Sequence, residues 1–514
     1  MNHRATHPRS KHQLEVCLVI PPSIFLLDER VFVNLGILKV AAMLEQGGIR
    51  VAVLDLSGIE NYQDVVRDFI ATVGAPVYGI TSTTPQMPQT SRVVDCIRQH
   101  QPDARLVLGG PHVTLVHTAY KKEHRQGVEG RATRGFATLR EMFDVLVCGD
   151  GEDAIFEAIQ PDSPPLIDAN DKKSPLFMSN GRYNATPFPA RHLVDLGSYR
   201  YKIDGFPATS LIAQLGCPFA CGFCGGREAP FLRKIRTRTT ESIVREVEQI
   251  HRTYGYTGFM FYDDELNVNP KMTELMDELT RLQKSLGVEF RLRGFVKAEL
   301  FTAVQAEAMF RAGFRWLLSG FESGAPRILA NMNKKATRED NARCLAIARE
   351  AGIKVKALMS IGHPGESAET VAQTQQWLLD TKPDDFDVTI ITTYPGTPYY
   401  DHAVPLAGKE GVYVYTMPKT GDRLYGLEID YNRVSDYYKG DPDGGYRAYV
   451  YTDDLSSEAL VDLRGAMESE VRASLGIPFN PAQGALRYEH SMGQMGPGTL
   501  PTSILRSSIN KTPA

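Results

Sequence analysis

Three cysteines within eight positions are the residues of this sequence whose type and spacing most clearly predict chemistry. They form Cys217-Pro-Phe-Ala-Cys221-Gly-Phe-Cys224, a C-x3-C-x2-C loop directly after an apolar segment. Such clustering indicates a metal site in a reducing compartment rather than a secreted disulfide framework. The other cysteines of the seven stand far apart in apolar contexts, where small buried thiols are common; they are Cys17, Cys96, Cys148 and Cys344.

Three thiolates on one short loop can bind three irons of a [4Fe–4S] cluster and leave the fourth iron open to another ligand. At this cysteine frequency the spacing arises by chance in about one such sequence in a thousand. A zinc site would need a fourth ligand, and the following Gly-Gly-Arg-Glu-Ala-Pro-Phe contains no Cys or His. Zinc and three merely packed cysteines are the alternatives to a cluster.

The first 160 residues alternate between apolar runs and helical stretches. Continuous apolar runs suit strands that are buried on both faces of a parallel sheet. They occupy residues 14–20, 50–54, 77–81, 105–108 and 144–148. A clear helical stretch, 35–46, ends at Gly47-Gly48 as a helix C-terminus should. This pattern predicts a doubly wound, Rossmann-like α/β domain with its ligand at the carboxyl ends of the strands.

A second alternation of strand and helix begins near residue 208. The predicted strands lie near 209–215, 258–262, 288–293, 314–319, 354–361 and 386–392. The predicted helices lie at 240–254, 271–286, 302–311, 338–350 and 367–380. Six such units predict an open, partial (β/α)6 barrel, in which active-site residues gather at the carboxyl ends of the strands.

Composition changes along the chain predict the domain organisation. We expect a flexible arm over residues 1–12, a ligand-binding domain over 13–160 and a linker over 161–207. The barrel follows over 208–405, then a substrate-side region over 406–476 and a loose tail over 477–514. Of 22 tyrosines, 12 lie between Tyr394 and Tyr451. We expect this tyrosine-rich segment to close a substrate cavity, so that changes around Tyr431, Tyr437 and Tyr438 alter turnover. A tyrosine-rich packing layer is the alternative.

The bulk properties exclude several classes of partner. A net charge of -4 gives no electrostatic reason to expect nucleic acid or an anionic membrane. No apolar run approaches the roughly 18 residues that span a bilayer. The N-terminus is basic but has no apolar signal core. We therefore expect a cytoplasmic protein with a small-molecule substrate.

The cysteine loop, at the end of a strand that opens a partial barrel, resembles the signature of radical S-adenosylmethionine (SAM) enzymes. Further segments resemble the family's strand ends in the right order: FMFYDDELNV (259–268), SGFESGAPRILANMNKKAT (319–337), SIGHPGES (360–367) and TYPGTPYYD (393–401). The resemblance implies that SAM chelates the open iron and is cleaved to a 5′-deoxyadenosyl radical. It also implies SAM contacts from Phe223, Asp263, Glu322 and Gly362. From the residues alone, Asp263 could instead begin a loop or cap a helix.

The first domain resembles the B12-binding domain of one large subgroup of these enzymes. Gly109-Gly110-Pro111-His112-Val113-Thr114 follows the fourth strand, and Gly149-Asp150-Gly151-Glu152 follows the fifth, where the family usually has Gly-Glu-Gly-Glu. Ser57 stands where many B12 proteins place a cobalt-ligating His, so cobalamin is expected without a protein histidine on cobalt. The implied cobalamin contacts are Ser57, Ser82, Gly109, Gly110, Pro111, His112, Gly151 and Glu152.

Together these resemblances imply a cobalamin-dependent radical SAM methyltransferase. The expected reaction removes a hydrogen atom from an unactivated carbon of a secondary metabolite, as in antibiotic biosynthesis, and transfers a methyl group from cobalt. A second SAM would remethylate cobalt, and a flavodoxin- or ferredoxin-type donor would supply electrons. No catalytic side chain is assigned.

Three other functions remain open at this stage. A ring-forming or rearranging enzyme would use the same cofactors without net methyl transfer. A methylthiotransferase would need a second cluster, for which Cys17 and Cys96 are poorly placed. A non-catalytic cobalamin carrier or sensor would not need the SAM-facing segments.

Overall fold

A computed structural model describes residues 14–26, 29–436 and 447–478. The predicted arm over 1–12, the predicted tail from residue 479 onward, and Tyr437 and Tyr438 lie outside these described residues.

The first domain is built on a six-stranded parallel sheet with the strand order β2-β1-β3-β4-β5-β6. Its strands are β1 Val16–Ile20, β2 Val51–Asp55, β3 Val77–Thr81, β4 Arg105–Gly109, β5 Val145–Cys148 and β6 Leu166–Asp168. Its helices are α1 Leu35–Gln46, α2 Tyr62–Thr72, α3 Met87–His100, α4 Pro111–Gln126, α5 Arg131–Met142 and α6 Gly151–Ala158. The predicted doubly wound fold is confirmed, and its strand order reverses between β1 and β3, where such folds bind ligands.

The sixth strand lies in the segment that the sequence predicted to be a linker. Leu166–Asp168 pairs in parallel with β5, from Leu146 opposite Leu166 to Cys148 opposite Asp168. Three residues flanked by Pro164-Pro165 and by Asn, Asp and Lys are too few to show a strand period. The connection continues through the short helix α7, Asn180–Ala185, and two single-turn 3-10 helices, Arg191–Leu193 and Leu196–Ser198.

The second domain is an open sheet of seven strands in the order β15-β14-β13-β12-β11-β8-β7. Its strands are β7 Lys202–Ile203, β8 Phe206–Leu211, β11 Gly258–Phe261, β12 Arg291–Phe295, β13 Phe314–Glu322, β14 Lys354–Ile361 and β15 Asp385–Ile390. All neighbouring pairs are parallel except β7 with β8. The six parallel strands confirm the predicted partial barrel.

Helices connect the barrel strands, and a small antiparallel hairpin follows β8, the first of the parallel strands. The helices are α8 Pro230–Arg233, α9 Thr240–Tyr254, α10 Met272–Leu286, α11 Ala303–Ala312, α12 Pro326–Asn331, α13 Arg338–Glu350, α14 Ala368–Thr381 and α15 Pro398–Asp401. The hairpin pairs β9 Gln214–Leu215 with β10 Arg236–Thr237. Five of these helices were predicted, α9, α10, α11, α13 and α14, and their boundaries lie within about two residues of the prediction, because caps such as Thr239, Thr302 and Ser367 mark them in the sequence. The short helices α8, α12 and α15 were not predicted.

The C-terminal region contributes a four-stranded antiparallel sheet and one long helix. The strands are β16 Val404–Pro405, β17 Val412–Thr416, β18 Arg423–Leu427 and β19 Val450–Thr452, and the helix is α16 Ser457–Leu475. Side chains of α16 form hydrogen bonds with the backbone of β15, the strand at the open edge of the barrel. Glu468 accepts the backbone N–H of Val388 at 2.7 Å, and Arg464 donates to the carbonyl oxygen of the same residue at 2.9 Å. An exposed strand edge is thereby covered.

One continuous apolar core contains both a face of the first sheet and the barrel. It includes Leu18 and Leu38 of the first domain, Tyr199 of the connection, and Leu275 and Phe314 of the barrel. The two domains therefore share buried contacts rather than being joined by a free linker. Among the described residues, no helix is long and apolar enough to cross a membrane.

Candidate functional site

The loop of three cysteines runs from β9 to α8 at the mouth of the barrel, and backbone hydrogen bonds hold it there. The N–H of Cys217 donates to the carbonyl oxygen of Leu232 at 2.9 Å, and the N–H of Gly222 donates to Met332 at 2.8 Å. The guanidinium of the buried Arg227 donates to the carbonyl oxygen of Cys217 at 2.7 Å. These hydrogen bonds fix the backbone of the cysteine loop.

Two glycines of this loop permit approaches that a side chain would block. At Gly216, where φ is +86°, an added Cβ would lie 2.2 Å from the carbonyl oxygen of Lys234. At Gly222 it would lie 2.4 Å from the ring of Tyr399. The loop is therefore packed against both the β9–β10 hairpin and α15.

The three thiols lie in a poorly solvated environment with nearby cations. Cys221 is buried, and Cys217 and Cys224 are half-buried. Burial raises the pKa of all three thiols, that of Cys224 to about 12, while Arg227, Lys334 and Lys297 oppose the rise. A metal that binds here must displace protons, and the cations compensate part of the thiolate charge that results.

Among the described residues, no three His, Cys, Asp or Glu side chains meet closely enough to hold one metal ion. A cubane cluster places each cysteine on a different iron, so its three sulfurs need not converge on one point. Three thiols on one fixed loop fit that requirement.

Glu322, at the carboxyl end of β13, adopts a backbone conformation that is rare for a residue with a side chain. Its φ is +64°, and the pairing register with β14 shifts between Gly320 and Glu322. Its two carboxylate oxygens accept hydrogen bonds from Lys334 at 3.1 Å and from Ser360 at 2.9 Å. Such strain costs about 1–3 kcal/mol and persists where the surroundings require it, often at functional sites.

His363 connects Glu322 to the cysteine loop. Its Nε2 is 2.8 Å from Ser360 Oγ, and its Nδ1 is 3.5 Å from the hydroxyl of Tyr399. Its ring meets that of Phe223 edge-on at 5.2 Å. Burial, together with the nearby charge of Lys334, lowers the pKa of His363 to about 3, so the ring is neutral. Phe223 and Glu322, both predicted from the sequence, are thereby brought to one site.

Asp263 contacts the backbone that leads into the cysteine loop. Its carboxylate accepts the N–H of Ala213 at 3.1 Å and also that of Gln214. The side chain is 1% exposed, and burial raises its pKa to about 7. Asp263 therefore fixes the turn between β8 and β9.

Replacing Asp263 with asparagine should destabilise this turn. The amide NH2 would face a backbone N–H, and a buried donor without an acceptor costs about 1–3 kcal/mol. We expect a lower melting temperature and less iron retained per chain after reconstitution. Asp277→Asn, at a half-exposed position on α10, is the control. A variant with the parent's melting temperature and iron content would contradict this role.

Gly362 and Glu366 lie at the carboxyl end of β14. Gly362 has a φ of +89°, and an added Cβ would lie 3.2 Å from Val450. Its N–H donates to Glu366 at 3.1 Å, and Thr370 donates to the other carboxylate oxygen at 2.6 Å. Glu366 is fully buried, and burial raises its pKa to about 7. Gly362 thus packs against the C-terminal region.

Glu366 should make the protein less stable as the pH rises from 6 to 8. The folded protein holds a proton up to about pH 7, whereas an unfolded glutamate loses it near pH 4.5, so stability falls as Glu366 ionises. Glu366→Gln should remove about 1–2 kcal/mol of this loss. Melting temperatures at pH 6 and pH 8 provide the measurement, with the exposed Glu369→Gln as control. An equal drop in parent and variant would contradict the assignment.

In the first domain, Gly109 is the last residue of β4 and Gly110 follows it, and the two glycines have very different surroundings. Gly110 has a φ of +95°, and an added Cβ would lie 2.7 Å from Thr81 Oγ1. At Gly109 an added Cβ would meet nothing within 4 Å. Open space directly above a strand end is a cradle that a bulky ligand could fill.

His112 lies beside this space. Its backbone N–H donates to the carbonyl oxygen of Ser82 at 3.0 Å, and its ring Nδ1 lies 3.1 Å from Thr84 Oγ1. Burial lowers the pKa of His112 to about 3, so the imidazole is neutral. Pro111, exposed at the start of α4, separates His112 from the glycines.

Of the remaining residues predicted for this domain, Ser57 and Ser82 form hydrogen bonds within it, and Gly151 and Glu152 lie at the start of α6. Ser82 is fully buried with its hydroxyl 3.0 Å from Thr90, and the carbonyl oxygen of Ser57 accepts from Arg30 at 2.8 Å. Gly151 begins α6, and Glu152 beside it is buried. Ser57 and Ser82 therefore support the loops at the strand ends.

Helix α4 brings the two domains together. A Cβ added at Gly225, next to Cys224, would lie 3.8 Å from Leu115, and one at Gly396 would lie 3.1 Å from it. The ring of His112 meets that of Tyr431 at 6.2 Å. The first two turns of α4, which follow the end of β4, therefore lie at the domain interface next to the cysteine loop.

Comparison with known proteins gives two family matches in the same order as the two sheets. Residues 29–140 match the model of the B12 binding domain, and residues 211–378 match that of the Radical SAM superfamily. Together the matches cover more than half of the chain. The chain belongs to the cobalamin-binding radical SAM enzymes.

Relatives of this radical SAM enzyme include proteins with different activities. An uncharacterized methyltransferase of Pyrococcus horikoshii is 25% identical over 76% of this chain and 83% of its own length. The anaerobic magnesium-protoporphyrin IX monomethyl ester cyclase of Rubrivivax gelatinosus is 25% identical over 69% of this chain, which spans 63% of that protein. The radical SAM methyltransferase TsrM from Kitasatospora setae has a similar fold, with a TM-score of 0.63, 18% identity and 93% coverage of both chains.

A radical SAM enzyme with a B12-binding domain uses SAM, a [4Fe–4S] cluster and cobalamin. The thiols of the cysteine loop and the open space above Gly109 fit the cluster and cobalamin. Several side chains that hold this site together were not predicted from the sequence: Arg227, Lys297, Lys334, Ser360 and Tyr399. Lys334, Ser360 and Tyr399 lie within the recognised segments 319–337, 360–367 and 393–401, whereas Arg227 and Lys297 lie outside all of the recognised segments.

Proposed function

We propose that this enzyme methylates an unactivated carbon of a small molecule, a secondary metabolite in particular. One observation carries the proposal: Leu115 of α4, the helix that begins directly after Gly110, lies against Gly225 beside Cys224, so the end of β4 and the cysteine loop are neighbours across the domain interface. When bound there, the reduced cluster supplies an electron to SAM and cobalamin supplies a transferable methyl group. The residues of this chain orient the reactants and exclude water.

Cys217, Cys221 and Cys224 hold the cluster in this proposal, and Lys297 and Lys334 offset the charge of its ligands. Lys297 Nζ lies 4.2 Å from the centre of the Phe219 ring, inside the loop, and is 2% exposed. Pro218 and Ala220 of the same loop are exposed. This exposed edge provides a short path for electrons from a flavodoxin- or ferredoxin-type donor.

Glu322 binds SAM with Lys334 and Ser360 as its supporting partners, and Phe223 and Gly362 border the same site. The carboxylate of Glu322, on its left-handed backbone, accepts hydrogen bonds from both of these partners. Asp263 supports the site through the backbone of Ala213 and Gln214, and no direct contact with SAM is required of it.

Gly109, Gly110, Pro111 and His112 form the cobalamin cradle in this proposal, and Ser57, Ser82, Gly151 and Glu152, at the ends of neighbouring strands, belong to the same site. His112 is neutral and already bonded to Thr84 through Nδ1. It therefore contacts the periphery of the cofactor in this proposal, and no protein histidine binds cobalt.

The tyrosines of the C-terminal region border the remaining side of the site. Tyr431 is stacked on Tyr394 at 6.3 Å and donates its hydroxyl to the carbonyl oxygen of Thr393 at 2.9 Å. Aromatic walls with bonded hydroxyls suit a medium-sized, partly apolar substrate.

The stoichiometry of SAM consumption tests the reaction. Anaerobic turnover with a candidate substrate should yield one 5′-deoxyadenosine and one S-adenosylhomocysteine for each methylated product. Use of methyl-deuterated SAM should transfer the label to the product. A single SAM per methylated product would contradict the proposed reaction.

A ring-forming reaction is the second candidate, because a cyclase is among the relatives that span both domains. It predicts 5′-deoxyadenosine without S-adenosylhomocysteine and a product that has lost hydrogen but gained no label. The same experiment therefore separates the two functions.

A further inference from the structure

A buried ion pair crosses the interface between the two domains. Asp150 lies between β5 and α6 of the first domain, and Arg236 lies in β10, which pairs with the strand that leads into the cysteine loop. The Arg236 guanidinium donates to the Asp150 carboxylate, and the two residues are 1% and 7% exposed. The pair thus joins the turn 149–152 of the first domain to the base of the cysteine loop.

The ion pair belongs to a continuous buried chain of hydrogen bonds. Arg236 also donates to the carbonyl oxygen of Phe231 at 2.8 Å, and the N–H of Phe231 donates to Asn170 at 3.0 Å. Asn170 is fully buried and donates to Thr118 on α4 at 3.2 Å. The helix that begins at the cobalamin cradle is therefore linked, bond by bond, to the hairpin that bears the cysteine loop.

A second buried contact fixes the same two domains independently. Arg131, at the start of α5, is sandwiched between the rings of Tyr400 and Tyr413, at 3.5 Å and 4.0 Å, and donates to the carbonyl oxygen of Tyr400 at 2.8 Å. Cation–π contacts of a desolvated arginine are directional and short-ranged. The ion pair of Asp150 with Arg236 and the aromatic contacts of Arg131 therefore form only in this docked arrangement.

Buried ion pairs are poor sources of stability, because desolvation offsets their attraction. Their effect is geometric: a shift of a few Å between the domains would leave two buried charges without partners. We propose that Asp150 and Arg236 are positioning residues that fix the separation between the cobalamin cradle and the cysteine loop. This inference rests on the proposed function, and it implies that the cobalamin domain stays docked during the reaction.

The test removes both charges without leaving either one unpaired. In the double variant Asp150→Leu with Arg236→Met, apolar side chains of similar size replace the pair, which is the change that buried pairs tolerate best. Asp153→Asn on α6, three residues from Asp150, is the matched control, because it alters only a partly exposed ion pair with Arg182. Asp150→Asn is a milder second variant that keeps the size of the side chain.

The readout is the magnetic dipolar interaction between cob(II)alamin and the reduced cluster, measured by electron paramagnetic resonance without substrate. The parent and Asp153→Asn should show one resolved splitting. The double variant should retain iron and cobalamin but lose the resolved splitting, because the two sites no longer have a single separation. The parent's splitting in the double variant would overturn the inference.

If the variants bind neither cofactor, the radius of gyration of the cofactor-free proteins, measured by small-angle X-ray scattering, tests the same inference. A larger radius of gyration in the double variant or in Asp150→Asn than in the parent would support the positioning role. An unchanged radius in folded variants would overturn it. If the parent itself bound no iron and no cobalamin, the proposed function would fail, whereas the scattering comparison would still decide the role of the ion pair.

Discussion

Replacing Cys217, Cys221 or Cys224 with alanine should lower the iron content from about four per chain to nearly none, because three cysteines are the whole protein ligand set of the proposed cluster. Reductive cleavage of SAM should fall by at least about a thousandfold, since no other redox group replaces the cluster. Iron and sulfide are measured after anaerobic reconstitution, together with 5′-deoxyadenosine formed on addition of dithionite.

Cys344→Ala is the matched control for these variants. Cys344 is fully buried on α13 of the same domain, so its replacement tests the loss of a thiol without touching the loop. It should keep the parent's iron content. Retention of four irons by any one of the three loop variants would exclude that cysteine as a ligand, and retention by all three would refute the cluster site.

Replacing Gly109 with leucine should abolish cobalamin binding and leave the cluster in place. An added Cβ at Gly109 meets no protein atom within 4 Å, so the new side chain starts in open space. It would instead occupy the space proposed for the cofactor. We expect at least about a hundredfold weaker binding, equivalent to roughly 3 kcal/mol. Cobalamin is measured from the absorbance of the reconstituted protein, and iron from the same sample.

Gly181→Leu provides the control for this experiment. Gly181 also has no atom within 4 Å of an added Cβ, but it lies in the short helix α7, away from the strand ends. It should bind cobalamin as the parent does. Parental cobalamin content in Gly109→Leu would show that the cofactor does not lie above β4, and loss of iron as well would indicate a folding defect rather than a blocked cradle.

The large elements of this protein were predictable because their signals are local. Continuous apolar runs indicated the five longer strands of the first sheet, and cap residues such as Thr239 and Ser367 marked helix boundaries. Strand β6 was not predicted, because its three residues are too few to show the alternation of apolar and polar residues that identifies a strand. The spacing of Cys217, Cys221 and Cys224 needed no structure, because a loop of eight residues brings its own ends together.

The details of the candidate site were not predictable, because they depend on contacts between distant parts of the chain. A register shift between β13 and β14 sets the left-handed backbone of Glu322. His363 follows a strand within turn-forming residues, yet the structure buries it completely between Ser360 and Tyr399. Nothing in the local sequence distinguishes an exposed turn histidine from a buried one.

The sequence by itself determined the order of the two domains, the class of each sheet and the three cysteines, since periodicity and short spacing are properties of neighbouring residues. Only the tertiary structure decided how the domains meet. Asp150 and Arg236 are 86 positions apart, and Arg131 and Tyr400 are 269 apart. Such pairs form when two folded surfaces dock, and their energy depends on burial and orientation, which no single segment specifies.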